Sequence, residues 1–327
     1  MSSIHHPTRT LGPATIRSRP LGEAPADTCA ALIGVMTDID DTLTRDGAIE
    51  EEALDALRRL REAGLPVIAI TGRPMGWSLP FAAHWPLAAI VAENGAVALV
   101  PRRPAASSHA GALEPGERGG VNPLAREPGP AMRARRGADR ACDPAQTVVD
   151  IEYMQEAAVR EANARRLEQT AERILREVPG ATLARDSAGR VTDIAIDHSE
   201  FTQLPPASID AVVAMMREAG MTATVSSIHI NGWFGAHSKW TGAQWMVRRL
   251  FGRDLLAEVD RWVYVGDSTN DQEMFQRFPF SVGVANLRHF ADALVHWPAW
   301  ITQAERGAGF AELTDALLAA RQDAVNA

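Results

Sequence analysis

Cysteine is nearly absent from this 327-residue chain, which holds only Cys29 and Cys142. Two cysteines cannot build a disulfide framework, so the expected setting is a reducing, cytoplasmic one. Long apolar runs are missing as well. None approaches the roughly 20 residues that a membrane-spanning helix needs. The first 30 residues are broken by Pro7, Pro13, Pro20 and Pro25 and lack the apolar stretch of a secretory signal. Excess positive charge is also missing. Lys and Arg total 33 against 41 Asp and Glu, a net charge of −8, so a nucleic-acid surface is not expected. Lysine is the scarcest cation: Lys239 is the only one. What remains is ordinary for a soluble globular protein, 46% apolar and 23% charged. The length suits two domains.

Residues 1–30 read as a flexible tail. Order begins at Leu32–Thr37, a short apolar run that ends at Asp38, as a buried strand with a polar tip would. Residues 49–63 carry an apolar stripe at helical spacing (Ile49, Ala53, Leu54, Leu57, Leu60) and stop at Gly64. Two further buried strands follow, Val67–Ile70 ending at Thr71-Gly72-Arg73, and Ala89–Val91 ending at Glu93-Asn94-Gly95. This alternation predicts a parallel sheet with helical crossovers. Residues 101–146, rich in Pro, Gly, Ala and Arg, then break the pattern and read as a loop or disordered insertion. A small α+β block follows: a helix over about 151–178, a strand over Val191–Ile196, a helix over Ser208–Ala219 and a strand over Thr222–Ile230. The first pattern resumes with a helix over Lys239–Phe251, a strand Trp262–Val265 ending at Gly266-Asp267, and a strand Ser281–Ala285. The expected architecture is an α/β, Rossmann-like core over 31–100 and 232–327, interrupted by an inserted α+β domain over 101–231.

In an open parallel sheet, ligands gather at the carboxyl ends of the strands. Asp38, Thr71 and Asp267 all sit at such ends. Asp38 and Asp40 are two residues apart, and Asp267 and Asp271 add more carboxylates. Like charges in a partly dry site need compensation. An all-oxygen donor set suits Mg²⁺ better than zinc. Lys239 and the Thr71 hydroxyl supply donors for a phosphoryl group. Together these residues fit phosphoryl transfer, with a carboxylate nucleophile, an acid/base and a metal.

The run Asp38-Ile39-Asp40-Asp41-Thr42-Leu43 resembles the first motif of the haloacid dehalogenase superfamily. Ile68-Ala69-Ile70-Thr71 is similar to its second, Lys239 to its third, and Gly266-Asp267-Ser268-Thr269-Asn270-Asp271 to its fourth. The insertion between the second motif and the lysine resembles the C2-type cap of the subfamily IIB sugar-phosphate phosphatases, as do Thr71-Gly72-Arg73-Pro74 and Glu93-Asn94-Gly95-Ala96. Two positions depart from the usual pattern. Asp41 stands where many relatives have Gly, and Ser268 where many have Gly or another small residue. The resemblance implies that Asp38 attacks phosphorus to form an aspartyl phosphate, and that Asp40 is the general acid and base. It further implies that Asp38, the Asp40 backbone carbonyl, Asp267 and Asp271 hold Mg²⁺, and that Thr71 and Lys239 steady the phosphoryl group.

The substrate side is less legible. Gly72 and Asn270 flank the strand ends and are expected to meet substrate. Arg73 either binds substrate or caps its strand. His229 and Asn231 share a face of an extended strand. They either reach the crevice or satisfy backbone groups locally. The resemblance implies a small phosphorylated metabolite, a sugar phosphate or a glycosyl acid phosphate, with no nucleic-acid or membrane partner. Two rivals stand beside the hydrolase: a phosphomutase of the same cap class, and a non-catalytic binding protein that keeps the fold.

Overall fold

A computed structural model describes residues 18–102 and 147–326. Its first half contains β1 (Arg19–Pro20), α1 (Ala26–Ala31), β2 (Gly34–Thr37), the hairpin β3 (Thr44–Arg45) and β4 (Ala48–Ile49), α2 (Glu51–Glu62), β5 (Val67–Ile70), α3 (Met75–His84), β6 (Ala89–Ala92), β7 (Val97–Arg102) and β8 (Val148–Tyr153). Next come α4 (Ala157–Glu177), β9 (Thr182–Leu183), β10 (Asp193–Asp197), α5 (Pro206–Glu218), β11 (Thr222–Val225) and β12 (His229–Trp233). The chain then returns through α6 (Lys239–Phe251), β13 (Trp262–Gly266), α7 (Gln272–Arg277), β14 (Phe280–Gly283), β15 (Trp300–Ile301) and α8 (Arg306–Asn326).

Nine strands form one sheet in the order β1-β15-β14-β13-β2-β5-β6-β7-β8. The first seven in that order run parallel, and β7 and β8 are antiparallel additions at one edge. The strands at the centre are buried throughout: Gly34–Thr37, Val67–Ile70, Ala89–Ala92 and Trp262–Gly266. Continuous apolar runs of this kind belong to a sheet covered on both faces. One face packs on α2 and α8, with Leu57, Leu60, Phe310 and Leu317 in the core. The other packs on α6 and α7, with Trp240, Met246, Met274 and Phe275. A second sheet, β11-β12-β10-β9, is antiparallel and buries its own cluster against α4 and α5, including Ile174, Ile196, Met216 and Ile230. Among the described residues no helix is long and apolar enough to cross a membrane.

Three boundaries differ from the sequence reading. Residues 18–30 are not a loose tail. Arg19–Pro20 pairs with β15, and both Leu21 and Cys29 are buried. A two-residue strand and a six-residue helix show no periodicity, and their order comes from tertiary packing. The inserted unit also begins later than residue 101. Residues 97–102 and 148–153 pair along their whole length as β7 and β8 of the main sheet, so residues 148–153 form a strand rather than the start of a helix. The strand expected over Thr222–Ile230 is instead the antiparallel pair β11 and β12, turning at Ser226–Ile228. The loop reading of 103–146, with Cys142, lies outside the described residues.

Candidate active site

The site grows from the carboxyl end of β2. The Asp38 amide donates to Val265 O at 2.9 Å, continuing the β2–β13 ladder one residue past the strand. The chain then turns tightly around the Ile39 carbonyl, which accepts from the amides of Thr42, Leu43 and Thr44. Ile39 and Leu43 are fully buried and anchor this loop from below. Asp41 has φ +53°, the left-handed conformation in which Gly is the usual residue and Asp is tolerated. Its added charge is met by Arg306, whose Nε lies 2.8 Å from Asp41 Oδ1.

The neighbouring strand end supplies two more carboxylates. Asp271 Oδ2 accepts from the amides of Asp267 (3.0 Å) and Ser268 (3.2 Å), while Oδ1 accepts from Lys239 Nζ (2.7 Å) and the Tyr264 hydroxyl. A side chain at Gly266 would run into this carboxylate, so only glycine fits there. Lys239 opens α6, whose Ser238 cap forms a reciprocal capping box with Thr241. The ammonium is buried and also reaches Asp38 Oδ1 at 2.9 Å.

Carboxylate oxygens of Asp38, Asp267 and Asp271 lie within 4.8 Å of one another. Burial pushes the Asp38 carboxyl up to about 7, an effect that Lys239 partly offsets and that Asp271 and Asp40 reinforce. Burial, then Asp271 and Asp38, push Asp267 well above the usual carboxylate range. Burial opposes the charge on Lys239, but Asp271 and Asp38 outweigh it, and its proton is held more tightly than in water. Asp267 Oδ1 accepts from Thr42 Oγ1 at 3.4 Å, whereas its Oδ2 is buried with no hydrogen-bond partner. A partnerless oxygen in an all-oxygen cluster with surplus negative charge is the donor set a hard divalent cation requires. Asp271 differs, since protein donors already engage both of its oxygens.

The end of β5 forms the third wall. Thr71 Oγ1 accepts from the Arg73 amide at 3.0 Å, and among the described residues its hydroxyl proton has no protein acceptor. The Gly72 carbonyl accepts from Arg190 and Asn231. Arg73 neither lies free nor merely caps its strand. Its guanidinium meets Asp40 (2.9 Å), Asp186 (3.1 Å) and Glu200 (2.9 Å) at once, and rests over the Trp77 ring.

A narrow crevice lies between the two units. It is lined by Asp38, Asp40, Thr71, Gly72, Arg73, His229, Asn231 and Asn270, together with Ser226 and Ile228 of the β11–β12 turn. The structure thus brings together the strand-end residues and the two cap residues expected from sequence. His229 Nε2 is 2.8 Å from Glu200 Oε2, and Asn231 bonds Gly72 O and Asp193. His198 Nε2 bonds Ser226 O of the β11–β12 turn, and Asp197 accepts from the amides of Glu200 and Phe201.

A set of buried charges escaped the sequence reading. Glu93, at φ +49°, accepts from the amides of Met75, Val191 and Thr192, and so ties the core to the inserted unit. Arg190 bridges Asp186 and Asp193. Glu200 is pulled down to about 2: burial works against its charge, but His229 and Arg73 overcome it. The available signal was the β10 pattern Asp193-Ile194-Ala195-Ile196-Asp197, a strand with an acid at each end. It does not name their partners.

Comparison with known proteins follows the same lines. The family model of haloacid dehalogenase-like hydrolases matches residues 35–107. Solved structures of the same architecture include a protein of Thermoplasma acidophilum, 16% identical, TM-score 0.57, covering 88% of this chain and 99% of its own. The sucrose-phosphatase of Synechocystis, solved with sucrose and phosphate, is 15% identical with TM-score 0.52, covering 87% and 97%. The subclass IIB sugar phosphatase BT4131 is 13% identical with TM-score 0.51, covering 88% and 98%. No curated protein sequence matches. At such identities the structural likeness speaks for the fold, and the sequence match covers the segment carrying Asp38, Asp40 and Thr71.

Proposed function

We propose that this chain, with the fold of the haloacid dehalogenase-like hydrolases and their sequence pattern over 35–107, is a divalent-metal-dependent phosphomonoester hydrolase acting on a small phosphorylated metabolite. The observation that carries this reading is the placement of Asp38. Its carboxylate stands at the tip of a central strand, touched by the chain's only lysine and beside a buried carboxylate oxygen without a partner.

In this reading an Asp38 oxygen attacks phosphorus, the bond from phosphorus to the leaving oxygen breaks, and Asp40 gives that oxygen a proton. Asp40 then takes a proton from water as the water oxygen attacks the aspartyl phosphate. The Asp38–phosphorus bond breaks and inorganic phosphate leaves. Asp38, Asp267 and the Asp40 carbonyl are the groups to hold Mg²⁺, with Asp271 positioned to support them through Lys239 and the backbone. When bound, the cation supplies charge stabilisation on the transferring oxygens. Thr71 and Lys239 donate to the same oxygens. Arg73 holds Asp40 by two nitrogens, fixing its orientation toward the crevice.

The test is Asp38→Asn. Phosphate release from 4-nitrophenyl phosphate with Mg²⁺ is expected to vanish while the circular dichroism spectrum and unfolding cooperativity stay those of the parent. Retained turnover would sink the mechanism.

A further inference from the structure

Tyr264 is one of only two tyrosines in the chain, and no step of the reaction proposed above uses it. It lies in β13, two residues before Gly266. Its alternation with Val263 and Val265 turns it to the face covered by α6 and α7. The side chain is fully buried. Its ring packs among aromatic neighbours, with centroids 6.0 Å from Phe275 and 5.8 Å from Phe278. Phenylalanine would fill this space as well. A hydroxyl buried there costs free energy unless it is hydrogen-bonded. Its partner is Asp271 Oδ1, to which it donates.

This donation fills the last acceptor position of Asp271. An ionised carboxylate offers about four such positions. Asp271 Oδ2 takes the amides of Asp267 and Ser268, and Oδ1 takes Lys239 Nζ and the Tyr264 hydroxyl. Asp267, four residues earlier on the same loop, is the opposite case, with a buried Oδ2 that has no partner. The two carboxylates therefore stand differently toward a cation, although an oxygen of each lies within 4.8 Å of the other and of Asp38.

We infer that Tyr264 is a positioning residue: it saturates Asp271, keeps that carboxylate out of the cation's coordination and commits it to Lys239 and to the backbone of the Asp267 loop. The inference rests on the metal-dependent reading above and deepens it. A donated hydrogen bond occupies the lone pair that a cation would use and offsets charge on the acceptor oxygen. Fewer carboxylates on the ion favour Mg²⁺, which takes six ligands and keeps several waters, over Ca²⁺, which takes six to eight oxygens.

The experiment titrates the metal alone, Mg²⁺ and then Ca²⁺, into the whole protein by isothermal calorimetry, for the parent and for Tyr264→Phe. The substitution keeps the ring and removes only the hydroxyl. Asp271, freed of one donor, is expected to join the ion. Mg²⁺ affinity is expected to rise about tenfold, the scale on which groups bonded to metal ligands alter affinity. Ca²⁺ affinity is expected to rise by more, so that the preference for Mg²⁺ narrows. A hydroxyl with a packing role alone would change stability and leave both affinities where they were, and that result, or a weaker Mg²⁺ affinity, overturns the inference. If the variant folds poorly, the parent decides the matter with Mn²⁺ located by anomalous scattering. Asp38 and Asp267 are expected to coordinate the ion and Asp271 to stay outside; direct coordination by Asp271 overturns the inference while leaving the metal-dependent reading intact. A parent that binds none of these ions overturns that reading, and this inference with it.

Discussion

Lys239 places its ammonium 2.9 Å from Asp38 Oδ1, joining residues 201 positions apart in the sequence. Both groups are buried, and the same ammonium holds Asp271. Removing one partner of a buried pair leaves an uncompensated charge, at a cost of about 3–5 kcal/mol. Lys239→Met is therefore expected to lower the metal-free unfolding free energy, measured in urea, by that order. The loss of a positioned donor is expected to reduce aryl phosphate turnover about 100-fold or more. Added Mg²⁺ should recover part of the stability and little of the rate. A variant as stable as the parent without metal would show that the ammonium is not what compensates the cluster.

The carboxylates around Lys239 also set a pH dependence. Burial first, then neighbouring acids, raise Asp38 to about 7 and Asp267 in the same direction. A raised carboxyl binds its proton more tightly in the folded than in the unfolded chain. The stability this contributes is full below the ordinary carboxylate range and is lost as pH rises toward about 7. A cation must displace those protons. The gain in melting temperature from saturating Mg²⁺ is thus expected to be small at pH 5.5 and large at pH 8. His237, which burial pulls down to about 4, titrates alike with and without metal and cancels from the difference. A gain that does not grow with pH, or that survives Asp267→Asn, would contradict this assignment.

How much of this was legible in the sequence depends on range. Asp38, Thr71 and Asp267 could be read because each ends a short apolar run, and the run and its tip are local. His229 and Asn231 could be read from two-residue alternation. The ion pairs of Arg73 could not, since Asp186 and Glu200 lie 113 and 127 residues away. Nothing in the local pattern distinguishes them from solvated acids. The β7–β8 pairing was hidden for a similar reason, because residues 103–146 separate its two strands. Asp41 is intermediate. Its departure from glycine was visible, but the compensating Arg306 is 265 residues away.

Arg73 links the two units, and its removal tests whether it holds them together. Its Asp40 partner belongs to the core, while Asp186 and Glu200 belong to the inserted unit. In Arg73→Ala, Asp40 and Glu200 lose their guanidinium partner, and Asp186 keeps only Arg190, which lies within its own unit. The inserted unit is expected to swing away from the core, raising the radius of gyration in small-angle scattering and speeding proteolysis near 154–156 and 234–238. Arg73→Lys offers a single point charge instead of a planar fork and is expected to restore little of the closure. An unchanged scattering profile for Arg73→Ala would place the closure elsewhere, with Glu93 and its contacts to Val191 and Thr192 as the next element to alter.

Gly95 connects backbone conformation to the position of Lys239. Its φ is +109°, outside the range of other residues, and a side chain there would collide with the Ser238 carbonyl. Ser238 caps the helix that begins with Lys239, and Gly242 of that helix also packs on Gly95. Gly95→Ala therefore forces α6 away from the end of β6 and moves Lys239 relative to Asp38. Strain and overpacking together predict a loss of about 3–5 kcal/mol, with a parallel drop in turnover. Gly252→Ala is the matched control. It also has positive φ, +64°, but nothing lies within 4 Å of the added methyl. That change should cost only about 1 kcal/mol of backbone strain and leave turnover alone. Measured by urea unfolding and aryl phosphate hydrolysis, the two variants separate the cost of the dihedral from the cost of displacing the helix. Equal losses would mean that α6 does not depend on its contact with Gly95.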